Sequence, residues 1–462
     1  MQQYTFAISR MSTTRNGGLL ELVSRGKKDT YFTHDAKRSL FNGLYSKCAS
    51  FTEEIYVTQP RNAGAFGNWV EFPIEHRGDL IRDLRLRLSL PTWLPSAAAA
   101  ANPTGLVTLL DGSTLGYVNG VGYYALERIQ LYNDQILLQE LWGEQLAWRR
   151  AQLSSDVQTV ALGSSLGFRY ESVLNVGRSA TPPTYYVPIP IAELPGLPLI
   201  ALSGTRLRLR VLLRPLEELI VSSAGGAYAP PWGLGLSVQA VKNGPVDTSQ
   251  VILARDQIAA PGLSLEAVQV YVPKDVRLWL KSRSWQIPIV QMQQQLITLE
   301  DNQFNLATVT PVTLPLRLDL IGPISQLLFA VQSQGSVMSN LLNVYTAADG
   351  SPFLTSVRLN IANLDRVQSL STDVYKYIIP YWKHVRTNLD EIYTMSFGGV
   401  EEKQPAGTLN VTRATRPVFY ITLNSIPYDF RSKNRTAYLK IYGQSWNVLE
   451  IENGLCKIMF AE

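Results

Sequence analysis

The sequence predicts an all-β protein made of two tandem sandwiches of one kind, with short helices inserted. Three observations carry that expectation. Hydropathy alternates with a period of two over most of the chain, a strand, hairpin, strand, helix pattern occurs twice about half a chain apart, and 462 residues are enough for two cores of ordinary domain size.

The alternation is plain in Leu84–Leu90 (LRLRLSL), Thr205–Leu212 (TRLRLRVL) and Val357–Ile361 (VRLNI). Successive side chains of an extended chain point to opposite faces, so such runs give each strand one apolar and one polar side. Proline and glycine punctuate the runs, as in TPPTYYVPIPIAELPGLP and GGAYAPPWGLG. Many short strands between turn signals argue a sandwich or barrel. Helical periodicity is confined to a few segments, chiefly Gln135–Arg150 and Asp373–His384.

The duplication is read from three landmarks. Phe72–Leu88 (FPIEHRGDLIRDLRLRL) and Leu314–Val331 (LPLRLDLIGPISQLLFAV) each run from an apolar residue and a proline through a turn at Gly78 or Gly322 into a second strand. Further on, strands reaching Asp134 and Asp365 lead into the two helical segments. The shifts are 242 residues for Pro73 and Pro315, 231 for the aspartates and 234 for Trp148 and Trp382. A period that long indicates duplicated whole domains rather than stacked repeats. An eight-stranded jelly roll is the most economical fold for each half. The expected division is a basic N-terminal arm at 1–30, a first jelly roll at 31–215, a linker at 216–240 where Gly, Ala and Pro replace alternation, and a second jelly roll at 241–462.

Charge is sparse and uneven. Charged residues make up 17% of the chain, below the usual level of about 25%, which points to broad surfaces buried against other chains. The net charge of +5 resides in residues 1–50, with eight basic against three acidic side chains; the rest is neutral. A neutral body with a basic arm is not the footprint of a sequence-specific nucleic-acid reader, whose Lys and Arg cluster on a folded face. Residues 1–16 lack acidic groups and periodicity, so they are expected to be ordered only by a partner. The N-terminus lacks the apolar core of a signal peptide and no run of about 18 apolar residues occurs, so the chain reads as one made and used in the cytosol. Cys48 and Cys456 fit no metal or redox spacing.

No catalytic, cofactor or metal site is expected. Gly163–Gly167 (GSSLG) matches the nucleophile pattern G-x-S-x-G, but its flanks read as strands and its centre as a hairpin loop. His34, His76 and His384 are scattered, and no phosphate-binding loop is present. Arg77-Gly78-Asp79 reads as a tight turn before it reads as an attachment motif. Two sequons, at Asn410 and Asn434, are candidate glycan sites, the latter in the more polar run. The competing class is a carbohydrate-binding β-sandwich, for which nine Trp and twenty-two Tyr could form a platform. Trp142, Trp148 and Trp382 instead fall on the expected helices, as residues that pack on a neighbouring roll or subunit.

Gly17–Thr33 (GGLLELVSRGKKDTYFT), Leu197–Leu202 (LPLIAL), Ser396–Arg413 (SFGGVEEKQPAGTLNVTR) and the C-terminal YLKIYGQSWNVLEIENGLCKIMF resemble the double jelly-roll major capsid proteins of nucleocytoplasmic large DNA viruses. The QPAGTLN stretch carries most of the likeness. LYSKCASFTEE and ALSGTRL depart from the family pattern and leave a divergent capsid paralogue open beside the major subunit. The resemblance implies a homotrimer whose six rolls form a pseudo-hexagonal capsomer of an icosahedral shell. It also implies contacts with neighbouring capsomers and minor capsid proteins, assembly in the host cytoplasm, and an N-terminal arm whose Arg10, Arg15, Arg25, Lys27 and Lys28 face inner components, the internal membrane among them.

Overall fold

The structure, a computed structural model, describes residues 26, 50–93, 107–109, 114–134, 136–153, 161, 163, 165–168, 184–190, 196–222, 237–241, 246–251, 253–300, 311–347, 350–384, 390–398, 407–424 and 436–460. Two sets of eight antiparallel strands form its framework. The first set is β1 (Thr52–Thr58), β2 (Trp69–Pro73), β3 (Leu80–Ser89), β4 (Leu126–Asn133), β5 (Ile136–Trp142), β6 (Thr184–Pro188), β7 (Leu207–Leu213) and β8 (Gly262–Tyr271). The second is β9 (Trp285–Leu299), β10 (Val312–Arg317), β11 (Pro323–Ser333), β12 (Leu354–Ile361), β13 (Leu364–Ser371), β14 (Tyr393–Ser396), β15 (Val418–Leu423) and β16 (Ala437–Glu452).

The first set forms sheets of order β1-β8-β3-β6 and β2-β7-β4-β5; the second forms β9-β16-β11-β14 and β10-β15-β12-β13. Adding eight to every strand of the first roll reproduces the second. Each roll is therefore an eight-stranded jelly roll with two facing sheets, and the chain is a double jelly roll. Even a minor addition repeats: Leu197–Pro198 pairs with the start of β3, and Leu409–Asn410 with the start of β11. A further sheet joins Ile220–Ser222, Thr114–Tyr117, Val107–Leu109, Ser237–Val241 and Val246–Val251 in that order.

Alternation becomes layering. Leu84, Leu86 and Leu88 of β3 point into the first core while Arg85 and Arg87 point out, and Leu207, Leu209, Val211 and Leu213 of β7 do the same against Arg208 and Arg210. In the second roll Leu327, Phe329 and Val331 of β11 meet Phe419 and Ile421 of β15.

Three expectations change. The expected helix Gln135–Arg150 begins as the strand β5, because Asp134 takes a left-handed turn (φ 47°) that folds β5 back on β4; the helix α1 spans only Gly143–Leu153. Leu138 and Leu141 satisfy either period, and the strand wins by pairing. Likewise Asp365 lies within β13, after a hairpin at Ala362 and Asn363 (φ 53° and 65°), and the helical run that follows is a π-turn at Val374–Ile378 continued by an α-helix at Ile379–Lys383. The third change concerns the expected linker at 216–240. Beyond it, β8 returns to the first roll as a central strand between β1 and β3. Sheet membership passes to the second roll only across the helix α2 (Lys274–Ser282). Composition marks where alternation stops but not which distant strand a segment will pair with.

Candidate functional site

The seam between the two rolls is the most elaborated site in the described residues. The edge strand β5 and the helix α1 of the first roll lie on the outer face of the β9-β16-β11-β14 sheet of the second. Val290, Met292, Leu328, Ala330, Tyr345 and Tyr442 thereby join the same apolar cluster as the first roll's core. The second roll's interior is a separate cluster.

Gly143 starts α1 because the helix turns away from β5 against backbone; a Cβ there would run into the carbonyl oxygens of Tyr123 and Leu126. The next residue, Glu144, is buried and accepts three hydrogen bonds across the seam, from Lys440 Nζ (2.7 Å), Tyr345 Oη (2.8 Å) and Tyr442 Oη (2.9 Å). One helical turn on, Trp148 donates from Nε1 to Tyr345 Oη at 2.8 Å and stands edge-on to both tyrosines, with ring centroids 5.3 and 5.1 Å away. A turn further, Gln152 donates to Thr394 and accepts from Gln326 Nε2 at 3.2 Å. On β5, Gln139 donates from Nε2 to the Val290 carbonyl (2.8 Å), and at the end of β4 Asn133 donates from Nδ2 to the Cys456 carbonyl (2.5 Å).

Burial pushes the Glu144 carboxyl up, but the charge and hydrogen bond of Lys440, with Arg214 and Tyr345, outweigh it and hold the group below the ordinary carboxylate value. Burial and the adjacent carboxylate raise Tyr345 and Tyr442 well above the usual phenol range, so both remain donors. A carboxylate with three donors and no open approach binds surfaces together rather than acting on a substrate.

The equivalent helical run in the second roll, Val374–Lys383, has no such cover. Tyr377 (44%), Ile378 (42%), Tyr381 (76%) and Trp382 (64%) are exposed, as are Ile55 and Val57 on β1.

Of the residues singled out in the sequence, Arg10, Arg15, Arg25, Lys27, Lys28, His34, Cys48 and Asn434 lie outside the described residues. Asn410 pairs with the start of β11, its Oδ1 accepting from Arg413 N (3.0 Å), while its sequon partner Thr412 accepts from Gly322 N (2.7 Å). In the Arg77-Gly78-Asp79 turn, Asp79 is buried and accepts from Arg277 Nε (2.8 Å) and Val272 N (3.0 Å), so it ties the β3 entrance to α2. The GSSLG segment is helical at Gly163, Ser165 and Leu166, as is Ala161 before it, not the expected hairpin loop. Among the described residues no His, Cys, Asp and Glu group could hold a metal ion. Burial pushes the Cys456 thiol up to about 12. Trp148 packs on the other roll as expected, whereas Trp142 closes β5 rather than standing on a helix. Sequence reading missed Glu144, Lys440, Tyr345 and Tyr442. The available signal was a carboxylate one turn from a tryptophan in WGEQLAW, in a helix with few other charges.

Comparison with known proteins agrees with this architecture. Residues 278–456 match the family described as large eukaryotic DNA virus major capsid protein. PBCV-1 VP54 superimposes with a TM-score of 0.68 at 17% identity, over 92% of this chain and all of that one. The Faustovirus major capsid protein gives 0.62 at 13% identity, over 93% and 94%. In Acanthamoeba polyphaga mimivirus, the protein called "Probable capsid protein 4" is 22% identical over 209 residues, 44% of this chain and 38% of that protein's length.

Two jelly rolls of one topology joined along an apolar seam define the double jelly-roll fold. Residues 278–456, from α2 through the second roll, are the part of the chain that resembles the large eukaryotic DNA virus major capsid protein family.

Proposed function

We propose that the protein is a non-enzymatic coat subunit that self-associates as a homotrimer, six rolls forming a pseudo-hexagonal capsomer of an icosahedral large DNA virus shell. The observation that carries this reading is the pair of topologically identical rolls joined through the Glu144 seam. Such a chain presents two similar blocks in fixed relation, and three copies related by a cyclic axis make a six-cornered tile. The low charged fraction supports the same reading, since obligate contacts of this kind commonly bury about 2,000–5,000 Å².

The coat subunit would be built in the host cytoplasm and meet neighbouring capsomers edge to edge. Its arm, with Arg10, Arg15, Arg25, Lys27 and Lys28, would face minor capsid proteins and the internal membrane, each basic group near an anionic surface contributing about 1 kcal/mol. The two rolls divide at α2. Light scattering on the purified chain, with electron microscopy of single particles, tests the proposal. The expected result is a particle of three 51.5 kDa chains with a hexagonal outline; a monomer at micromolar concentration overturns it.

A further inference from the structure

The seam within one chain is a template for a contact between chains. Strand order repeats in both rolls, so the surface that β5 and α1 occupy on the second roll has a counterpart on the first: the outer face of β1-β8-β3-β6. The elements that occupy it have a counterpart too, β13 and the helical run Val374–Lys383. Ile55, Val57 and Arg87 on that face, and Tyr377, Tyr381 and Trp382 on the run, are exposed among the described residues of the single chain. We infer that the Val374–Lys383 run of one chain seats on the outer β1-β8-β3-β6 face of a second copy, head to tail, with Asp373 meeting Arg87 where Glu144 meets Lys440 within the chain.

The register supports this assignment at the level of residues. Glu144 lies two residues beyond the last residue of β5, Trp142, and Asp373 two beyond the last of β13, Ser371. The buried series Glu144, Trp148, Gln152 thus corresponds to Asp373, Tyr377, Tyr381, all exposed. On the receiving side, Lys440 of β16 stands opposite Ala330 of β11. Counting from the bulge each sheet carries near the start of that ladder, the matching pair is Ser264 of β8 opposite Arg87 of β3. The cation has moved across one strand but stays at the same level of the same face. Arg87 is exposed, and no carboxylate lies within ion-pair distance of it among the described residues. Its neighbour Arg85 already pairs with Glu266 at 3.1 Å. Exposed Ile55 and Val57 on β1 supply apolar surface to receive the aromatic helix face, as Val290 and Met292 on β9 receive β5 and α1. A contact that joins unlike surfaces is heterologous and closes only as a ring; with two rolls per chain the third copy completes six.

The inference rests on the trimer reading, and the test separates the two. Arg87→Asp and Asp373→Arg are made in the full chain, alone and together, with Tyr381→Ser as a third variant, and mass is followed against concentration. Unfolding of each chain is monitored in parallel, and all should fold, since the three positions are exposed. The expected result is that each charge reversal weakens trimer formation by about tenfold or more, that the double reversal restores it, and that Tyr381→Ser weakens it without rescue by either. Variants that all remain as trimeric as the parent overturn this contact while leaving the trimer intact. Charge reversals that weaken the trimer without mutual rescue overturn the Asp373–Arg87 pairing. A parent chain that is itself monomeric overturns the coat-subunit reading first.

Discussion

At the scale of single residues, Glu144 holds the molecule's halves together. Three donors converge on one buried carboxylate, and removing it leaves the Lys440 ammonium buried without a counter-charge, which costs about 3 kcal/mol or more. Glu144→Gln should therefore lower stability by about 3 kcal/mol at pH 7, while Glu144→Gln combined with Lys440→Met recovers much of the loss, because the charge left unpaired is then gone too. The pH dependence has a definite sign. Folding lowers the carboxyl from its ordinary value of 4.5, so its contribution is complete above 4.5 and is lost as pH falls through the lowered folded value. Denaturant titrations across acid pH should show the gap between parent and Glu144→Gln narrowing in that window; a gap of constant size would mean that charge has no part in the seam. Gly143 makes a second case. Its neighbours are backbone carbonyls that cannot swing aside, so Gly143→Ala should destabilise the chain by about 3 kcal/mol, read from the same titrations. Neither residue was legible as a site from sequence, since Gly143 and Glu144 acquire their roles from Tyr123, Leu126, Tyr345 and Lys440, which only the fold brings near.

At the scale of elements, the repeat was legible and the pairing was not. Pro73 and Pro315 lie in corresponding strands β2 and β10, and Gly78 and Gly322 in the turns that follow them, Gly322 for its left-handed φ of 76° and Gly78 because a Cβ there would run into Gln269. The identity of β8 as a first-roll strand was hidden because GLSLEAVQVY alternates like any strand, and its partners are nearly two hundred residues away. The same limit concealed β5, whose apolar residues suit helix and strand alike. Where the elements do correspond, their surroundings differ, and that yields a comparison. Trp148→Ala empties a space enclosed by Tyr345 and Tyr442 and should cost about 3–5 kcal/mol. Trp382→Ala on the matching helical run removes a side chain 64% exposed and should move the unfolding of a single chain by about 0.5 kcal/mol or less. Equal losses at both sites would mean that the second run is covered in the single chain, against its exposure here.

At the scale of the described body, the apolar clusters decide how the two rolls melt. Domains joined by a small polar contact unfold separately, whereas a large apolar seam couples them. Here the first roll's core and the seam are one cluster, and second-roll residues from β9, β11 and β16 contribute to it directly. The first roll cannot come apart without stripping cover from Val290, Met292, Leu328 and Tyr442, and those strands also wall the second roll's interior, through Phe329, Leu439 and Ile441 on their inner faces. Each of the three strands thus holds two layers at once, an inner one belonging to its own roll and an outer one shared. Loss of the outer layer exposes about the area of a full sheet face, at about 25 cal/mol per Å² of apolar surface, more than the margin of a typical domain can absorb. Calorimetry at a concentration where the chain is monomeric should accordingly give a single transition whose calorimetric and van't Hoff enthalpies agree. Glu144→Gln, which loosens the seam while leaving both interiors untouched, is the variant expected to split that peak in two. Two transitions in the parent chain would mean instead that the rolls are coupled only by the covalent chain through α2, and the rigid two-block subunit on which a six-cornered tile depends would be lost with it.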